Sequence, residues 1–188
     1  TQAFIGYDVG VANILSDYWT QKHQNIPFDK DGAWASEGKV NDELLHILLS
    51  DPYFNLSAPK STGREYFNAT WLENKLKSFS SVQPVDVQAT LLEFTVTPII
   101  VALKEQPIKR LIVCGGGAKN SFLMDLLSQK LEGVEVIKSD ETGINSAYLE
   151  AIAFAWLAYK RVNHQSIDLQ TITGSYQPSI LGAIHAKD

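Results

Sequence analysis

The sequence predicts an α/β fold built as one domain or one large lobe. Residues 111–114, LIVC, are apolar and aliphatic enough to predict a buried strand, and an amphipathic helix begins after the glycines that follow, at Asn120. A second short strand is predicted from Val134 to Ile137. Strand, helix and strand with a short return make a βαβ unit, whose two strands run parallel. With 188 residues, 45% of them hydrophobic, the chain can bury one real core.

The N-terminal stretch predicts a short strand from Ala3 to Tyr7, followed by a turn and an apolar helix that begins at Ile14. Asp8 and Gly10 at the end of this strand could place a carboxylate and a bare turn beside phosphates and their magnesium, because hard cations prefer carboxylate oxygens. A plain capped turn is the alternative. Asn13 closes the segment before the helix.

Further helices follow from caps and apolar periodicity. We expect a short helical piece around Trp34, and a long, mostly buried helix from Pro84 to Lys104. Asn41 and Asn68 have the side chains of N-caps, so each predicts a helix directly after it. His46 has no histidine or cysteine partner at ligand spacing, and no metal site is predicted from protein side chains alone.

A polar cluster lies between residues 58 and 68. Lys60 and Arg64 flank Ser61, Thr62 and Gly63, which gives two cations, two hydroxyls and one flexible backbone position within five residues. Such a group suits a ligand with anionic oxygens. A solvated loop is an equal alternative at this stage.

The glycine run at 115–117 is the feature with the clearest chemical meaning. Gly115, Gly116 and Gly117 remove every Cβ where a strand meets a helix, so a ligand can approach bare backbone and the unpaired N–H groups near Asn120. A nucleotide would suit this turn. A tight turn without a ligand carries equal weight, because the pattern is neither a dinucleotide fingerprint nor a Walker loop.

A last helix is predicted from Ser146 to Arg161, with small residues that permit close packing. Glu150 lies in its early turns. Its carboxylate is expected either at the rim of a cleft or at the solvated start of the helix, where the dipole favours it.

Composition limits the class of partner. The net charge is -5 and no run of lysines or arginines occurs, which argues against nucleic acid and anionic membranes and favours small molecules. The single cysteine, Cys114, excludes an internal disulfide and is expected to be an inert packed thiol. No stretch reaches the about eighteen uninterrupted apolar residues of a membrane helix, so we expect a cytoplasmic protein.

Taken together, seven stretches resemble the bacterial anhydro-N-acetylmuramic acid kinases in order and spacing along nearly the entire chain. They are GYDVGVAN at 6–13, DKDGAWASEGKV at 29–40, SDPYF at 50–54, PKSTGREYFN at 59–68, DVQATL at 86–91, VCGGGAKN at 113–120 and EAIAFAWLA at 150–158. The resemblance implies the sugar kinase, Hsp70 and actin superfamily, in which two ribonuclease-H-like lobes close on ATP. It implies that residues 1–188 form a single C-terminal lobe with a mixed sheet flanked by helices.

The resemblance also implies an activity. The family hydrolyses the internal 1,6-anhydro bond of its muramic sugar while it transfers the γ-phosphoryl group of ATP to the 6-oxygen. This reaction belongs to peptidoglycan recycling, and the implied cofactors are ATP and Mg²⁺. It implies that the first phosphate-binding motif and the general base lie in a missing N-terminal lobe, so no catalytic residue is assigned to this chain. A homodimer is also expected.

Site residues carried over by position fall into two groups. The implied nucleotide contacts are Asp8, Gly10, Gly115, Gly116, Gly117 and Asn120. The implied sugar contacts are Asn13, Lys60, Arg64 and Glu150. The chain departs from the family pattern at Val9, Val11, Ala12 and Ala147. Three alternatives therefore stay open, namely one lobe of a kinase, a relative that binds nucleotide or sugar without turnover, and a structural partner of a separate first lobe.

Overall fold

The structure, a computed structural model, describes residues 4–104 and 106–185. Helices dominate these residues, and the sheet is small. The helices are α1 (Ile14–Gln24), α2 (Ala33–Glu37), α3 (Asp42–Leu49), α4 (Ala69–Leu76), α5 (Pro84–Leu103), α6 (Ser121–Lys130), α7 (Leu149–Val162) and α8 (Gln170–Thr173), and the strands are β1 (Arg110–Val113) and β2 (Glu135–Lys138).

Helix α5 is the centre of the fold, and it packs against α1, α2, α3 and α6. One apolar cluster joins α5 to α1, α3 and α4, and a second joins α5 to α6 and the sheet. By length and composition alone α5 could cross a membrane, but 61% of its apolar window is buried inside the protein. Its hydropathy is therefore that of a core helix.

The sheet consists of β1 and β2, which pair in parallel with Leu111 opposite Val136. This confirms the α/β class and the βαβ unit. The expectation of a fully buried first strand was wrong, because only one face of β1 is covered. Leu111 and Val113 pack on the α5 and α6 side, whereas Ile112 on the other face is 47% exposed. The described part of the chain places no second layer over that face.

The predicted helix caps are confirmed. The backbone N–H of Leu44 donates to the Asn41 side chain at 2.9 Å, and the N–H of Trp71 donates to Asn68 at 3.0 Å. In α6 the N–H of Leu123 donates to Asn120 at 3.0 Å. These contacts form within a single turn, so local sequence is enough to specify them.

The predicted strand from Ala3 to Tyr7 is absent from its described part, residues 4–7, while Ala3 lies outside the described residues. Phe4 and Ile5 are 84% and 67% exposed. A strand requires a neighbour to complete its ladder, and neither β1 nor β2 pairs with this segment. Single contacts hold the segment instead. For example, the hydroxyl of Thr171 donates to the carbonyl of Phe4.

Asp51 holds together the aromatic part of the core. Its buried carboxylate accepts hydrogen bonds from the backbone N–H of Tyr53 at 3.0 Å, Tyr66 Oη at 2.8 Å and Trp71 Nε1 at 2.9 Å. Burial on its own would raise the pKa of Asp51. The three donors and the charge of Lys75 outweigh it and hold the pKa below the usual value.

We expect Asp51→Asn to lower the free energy of unfolding of the chain at pH 7 by about 2 kcal/mol, because it leaves a buried donor unpaired. Since the pKa of Asp51 is lower in the folded chain, the stabilisation by its ionised carboxylate is complete above the unfolded pKa of about 3.9. This stabilisation is lost as pH falls through the pKa of the folded state. Urea unfolding at pH 7 and in steps below pH 4 measures both effects. The difference between wild type and variant should narrow with acid, and a gap that stays constant would contradict this account. Asp125→Asn, on an exposed side chain of α6, is the control.

Candidate functional site

The glycine turn forms a left-handed step followed by a short 3-10 turn. Gly115 has φ 75°, and Gly116–Lys119 form the 3-10 turn that leads to α6. Within the described residues, the amide N–H groups of Gly115, Gly116 and Gly117 donate to no protein acceptor. A Cβ at Gly115 would meet nothing within 4 Å. The turn therefore presents free backbone donors and open space, as an anionic ligand requires.

Three hollows border this turn. One of them, with a volume of about 430 Å³, is lined mainly by apolar side chains of α5, β1 and α6. The other two carry more of the polar groups. The first, which we call the α1 hollow, has a volume of about 420 Å³ and lies between the start of α1, the turn at 28–31 and the glycine turn. The second, the α7 hollow, has a volume of about 410 Å³ and lies between the glycine turn and the start of α7. Gly116 and Lys119 line both, so the glycine turn is the wall that the two hollows share.

The α1 hollow combines an aromatic ring with amide and carboxylate groups. The amides of Asn13 and Asn120 line it together with Asp17, Asp31 and the partly exposed ring of Phe28. Burial raises the pKa of Asp17, and the positive charge of Arg64 opposes that rise. Such a lining can accept hydrogen bonds from hydroxyls and cover the face of a ring.

Asn13 and the glycine turn, which are about a hundred residues apart in the sequence, are neighbours in the fold. A Cβ at Gly116 would lie 3.5 Å from Asn13 Nδ2. The turn at 28–31 is joined to α6 by the hydroxyl of Ser121, which donates to the carbonyl of Asp31 at 3.2 Å. The three segments of the α1 hollow are therefore fixed to one another.

Asp29 anchors the 28–31 turn, a role beyond the turn-marking one that its residue type indicates. Its buried carboxylate accepts from the backbone N–H groups of Trp34 and Ala35, each at 2.9 Å. Gln88 Nε2 on α5 lies 3.3 Å from the same carboxylate and donates to Ser16 Oγ at 2.9 Å. The position of an aspartate four residues before a short helix could have indicated the contacts with the helix start. The sequence could not indicate its buried partner on α5, Gln88.

Asp8 and the 58–68 cluster, which the sequence nominated separately, form one site. Asp8 Oδ2 accepts from Ser61 Oγ at 2.8 Å and from the backbone N–H of Thr62 at 3.0 Å. The N–H of Asp8 donates to the carbonyl of Lys60 at 3.1 Å. Tyr53 Oη also donates to the carbonyl of Asp8, at 2.5 Å. We call this set of contacts the Asp8 clasp.

The remaining predicted residues around the clasp have different surroundings. Lys60 Nζ donates to the carbonyl of Tyr53 at 3.2 Å and lies 4.7 Å from the centre of its ring, so the ammonium group is already occupied. Arg64 is exposed. Gly10 lies against α5, where an added Cβ would be 3.6 Å from the ring of Pro98.

Glu150 and Cys114 both line the α7 hollow. Glu150 is exposed in the first turn of α7. Both expected positions therefore apply to it, since it lies at the solvated start of the helix and also at the edge of the α7 hollow. The expectation of a packed Cys114 was wrong, because its thiol is exposed. Strand β1 ends at Val113, so Cys114 lies just past the end of the strand.

Comparison with known proteins gives one consistent result. The model of the family described as AnmK: Anhydro-N-acetylmuramic acid kinase matches residues 1–187. A protein named anhydro-N-acetylmuramic acid kinase from Sulfurimonas denitrificans is 44% identical to this chain, and the match covers 96% of the chain and 51% of the relative. The protein of the same name from Haemophilus influenzae is 47% identical, and the match covers 100% of the chain and 52% of the relative. The relative from Actinobacillus pleuropneumoniae is 46% identical over 99% and 51%. The chain spans about half the length of the curated relatives it matches.

We expect Cys114 to react with a thiol reagent in the folded chain without a lag, because its side chain is exposed beside the glycine turn. The measurement is the rate of reaction with 5,5′-dithiobis(2-nitrobenzoic acid) in native buffer and in urea. Comparable rates support the exposed position, and a native rate slower by about two orders of magnitude or more would place the thiol in the core. Cys114→Ser gives the background.

Proposed function

The chain belongs to the anhydro-N-acetylmuramic acid kinase family, and we propose that residues 1–188 form the C-terminal lobe of such a kinase. The complete enzyme would open the 1,6-anhydro ring of anhydro-N-acetylmuramic acid by hydrolysis and transfer the γ-phosphoryl group of ATP to the 6-oxygen. We place this reaction in peptidoglycan recycling in the cytoplasm. A lobe that spans half of its relatives would need the other half for turnover.

The observation that carries the proposal is the glycine turn with free amides between two hollows. We assign Gly115, Gly116, Gly117 and Asn120 to the adenosine side of ATP, with the α1 hollow as the pocket for the base and ribose. The amides would donate to oxygen atoms of the nucleotide. Phe28 would cover the base, and Asp31 would accept from ribose hydroxyls.

Asp8 and Gly10 are assigned to the phosphate side. Asp8 Oδ1 accepts no hydrogen bond from a described residue, so one carboxylate oxygen remains free for a hard cation. The described residues contain no group of three or more histidine, cysteine, aspartate or glutamate side chains that could hold a metal. Mg²⁺ commonly takes one or two carboxylates and completes its shell with phosphates and water, so a single carboxylate from this chain fits it. When bound, Mg²⁺ would neutralise charge on the phosphates.

Asn13, Lys60, Arg64 and Glu150 are assigned to the sugar. The exposed guanidinium group of Arg64 would pair with the carboxylate of the muramic substituent, because a planar fork of donors matches a carboxylate. Asn13 lines the α1 hollow, so it would lie where the nucleotide pocket meets the sugar and would donate to or accept from a ring hydroxyl there. Glu150, in the α7 hollow, would accept from another hydroxyl. Lys60 would border the sugar while its ammonium group holds the loop to Tyr53.

Helix α7 supports the presence of a second lobe. None of its residues is buried, although it is strongly apolar, and Phe154, Tyr159 and Val162 are 70%, 59% and 65% exposed. An apolar helix without a covering layer marks a surface for another body. Since the relatives are about twice as long as this chain, we assign that surface to the N-terminal lobe. A second copy of the chain, as in the expected homodimer, is the competing occupant.

We expect the chain to bind magnesium-ATP by titration calorimetry, and Gly116→Val to abolish the binding. A valine there would project from the wall that both hollows share, and the backbone at Gly116 lies outside the left-handed region. Gln129→Val, at the exposed far end of α6, is the control.

The same titration is repeated with the complementary half of the Haemophilus influenzae relative, an assembly that we call the reconstituted kinase. Release of ADP and a phosphorylated sugar by this assembly is the expected result. Nucleotide binding without turnover would favour a relative that binds and does not catalyse, and no binding in either setting would overturn the proposal.

We expect Phe154→Glu to weaken association with the complementary half by at least tenfold, because the charge would have to be buried at the contact. It should leave the unfolding midpoint of the isolated chain unchanged, since Phe154 is exposed there. Ile26→Glu is the matched control, because Ile26 is also an exposed apolar residue and lies just past the C-terminal end of α1. Analytical ultracentrifugation of the chain with and without the complementary half separates the two occupants. A wild-type homodimer that Phe154→Glu dissociates would assign the surface to a second copy.

A further inference from the structure

We infer that Ser16 is a further nucleotide-binding residue, whose hydroxyl donates a hydrogen bond to a ring nitrogen of the purine base in the α1 hollow. The inference rests on the proposed function, because it needs the base in that hollow. Its basis is a buried hydroxyl that accepts a hydrogen bond from the core and donates none to a described residue.

A glutamine on α5 decides how the Ser16 hydroxyl can act. Gln88 is fully buried, and its Nε2 lies 3.3 Å from Asp29 Oδ2 and donates to Ser16 Oγ at 2.9 Å. A carboxylate only accepts hydrogen bonds, so the amide nitrogen of Gln88, and not its oxygen, must point toward Asp29. Ser16 therefore receives a hydrogen bond from the core, and its own proton is left for another acceptor.

No described residue accepts the Ser16 proton. A serine inside a helix can donate to the carbonyl four residues earlier, which here is that of Ala12. That carbonyl instead accepts from the hydroxyl of Thr95 at 2.9 Å. Ser16 is only 7% exposed and lines the α1 hollow together with Phe28. A ligand that brings an acceptor into this hollow would therefore pair with a donor that the protein leaves unpaired.

The base of ATP supplies such an acceptor. Phe28 would cover the face of the base, so the polar lining of the hollow would meet its edge. The edge of adenine carries the ring nitrogens N1, N3 and N7, and each of them has a lone pair and no proton. A single buried hydroxyl can donate to one of these nitrogens, and it would favour a base that has a nitrogen at that position.

The test is titration calorimetry of the chain with the magnesium complexes of ATP and of its 1-deaza, 3-deaza and 7-deaza analogues. Each analogue replaces one ring nitrogen by C–H. If only the reconstituted kinase binds ATP, that assembly is titrated instead. We expect the wild type to bind one analogue about fivefold more weakly than ATP, because one hydrogen bond is lost. Equal binding of ATP and all three analogues would overturn the inference, whether or not a Ser16 variant folds.

The variant Ser16→Ala shows whether the lost hydrogen bond belongs to Ser16. We expect it to bind ATP about fivefold more weakly than wild type does, and to bind ATP and the discriminated analogue within about twofold of each other. Ser128→Ala should match wild type, because Ser128 is exposed on α6 and its hydroxyl donates to the carbonyl of Met124 at 2.9 Å. A Ser16→Ala chain that binds ATP as tightly as wild type, or that still discriminates against the same analogue, would overturn the inference.

The inference and the proposed function fail in different ways. If neither the chain nor the reconstituted kinase binds ATP, the nucleotide site is absent, and both fail together. If ATP binds and Ser16→Ala behaves as wild type does, only the inference fails. In the reconstituted kinase, Ser16→Ala should raise the KM for magnesium-ATP about fivefold and leave kcat within about twofold, because the base is remote from the transferred phosphoryl group.

Discussion

The constraint on which the site depends is that polar side chains buried along α5 must find partners. A helix through the core carries Gln88, Thr90 and Thr95, each of which is buried. Unpaired polar groups at such depth are costly, and each of the three side chains makes at least one hydrogen bond to another segment, although Gln88 Oε1 has no partner among the described residues. Thr90 Oγ1 accepts from the backbone N–H of Asn41 at 2.9 Å, and the Thr95 hydroxyl lies 2.9 Å from the carbonyl of Ala12. Two of the three walls of the α1 hollow are thus positioned by hydrogen bonds to α5. Gln88 reaches Ser16 and Asp29, and Thr95 holds the carbonyl of Ala12 just before Asn13.

Local features of the fold were predictable, and features that join distant segments were not. Asn41, Asn68 and Asn120 cap helices through contacts three residues away, which the sequence displays directly. The clasp joins Asp8 to a residue 53 positions later, and Gln88 reaches Asp29 across 59 positions. Both stretches of the clasp were nominated as ligand-binding, but residue type and local spacing carry no information on which distant segments meet.

The errors at the N-terminal strand and at Cys114 have one physical origin. Both predictions assumed that an apolar run is covered on all sides. Here β1 is covered on one face only, Cys114 lies past its end, and Ile5 has no strand beside it. Apolar residues favour burial, but their presence in a sequence does not indicate which part of the protein covers them. The apolar residues of α7 are likewise left exposed by the described part of the chain, which agrees with a chain that spans about half the length of its relatives.

The positions that the sequence resemblance marks as departures from the family pattern bear on whether the chain is a working lobe. Val11 is 7% exposed and lies in the core cluster with Leu15, and Ala12 has its carbonyl held by Thr95, so both contribute to the packing of the turn. Ala147 is different, since it lines the α7 hollow with a side chain that has no polar group. The polar side chains at the α1 hollow and the clasp, Asn13 and Asp8, keep their places beside the glycine turn and the 58–68 loop. The Asp8 carboxylate has two donors on Oδ2 and no partner on Oδ1 among the described residues, and under the proposed function this feature favours the lobe of a kinase over a structural partner.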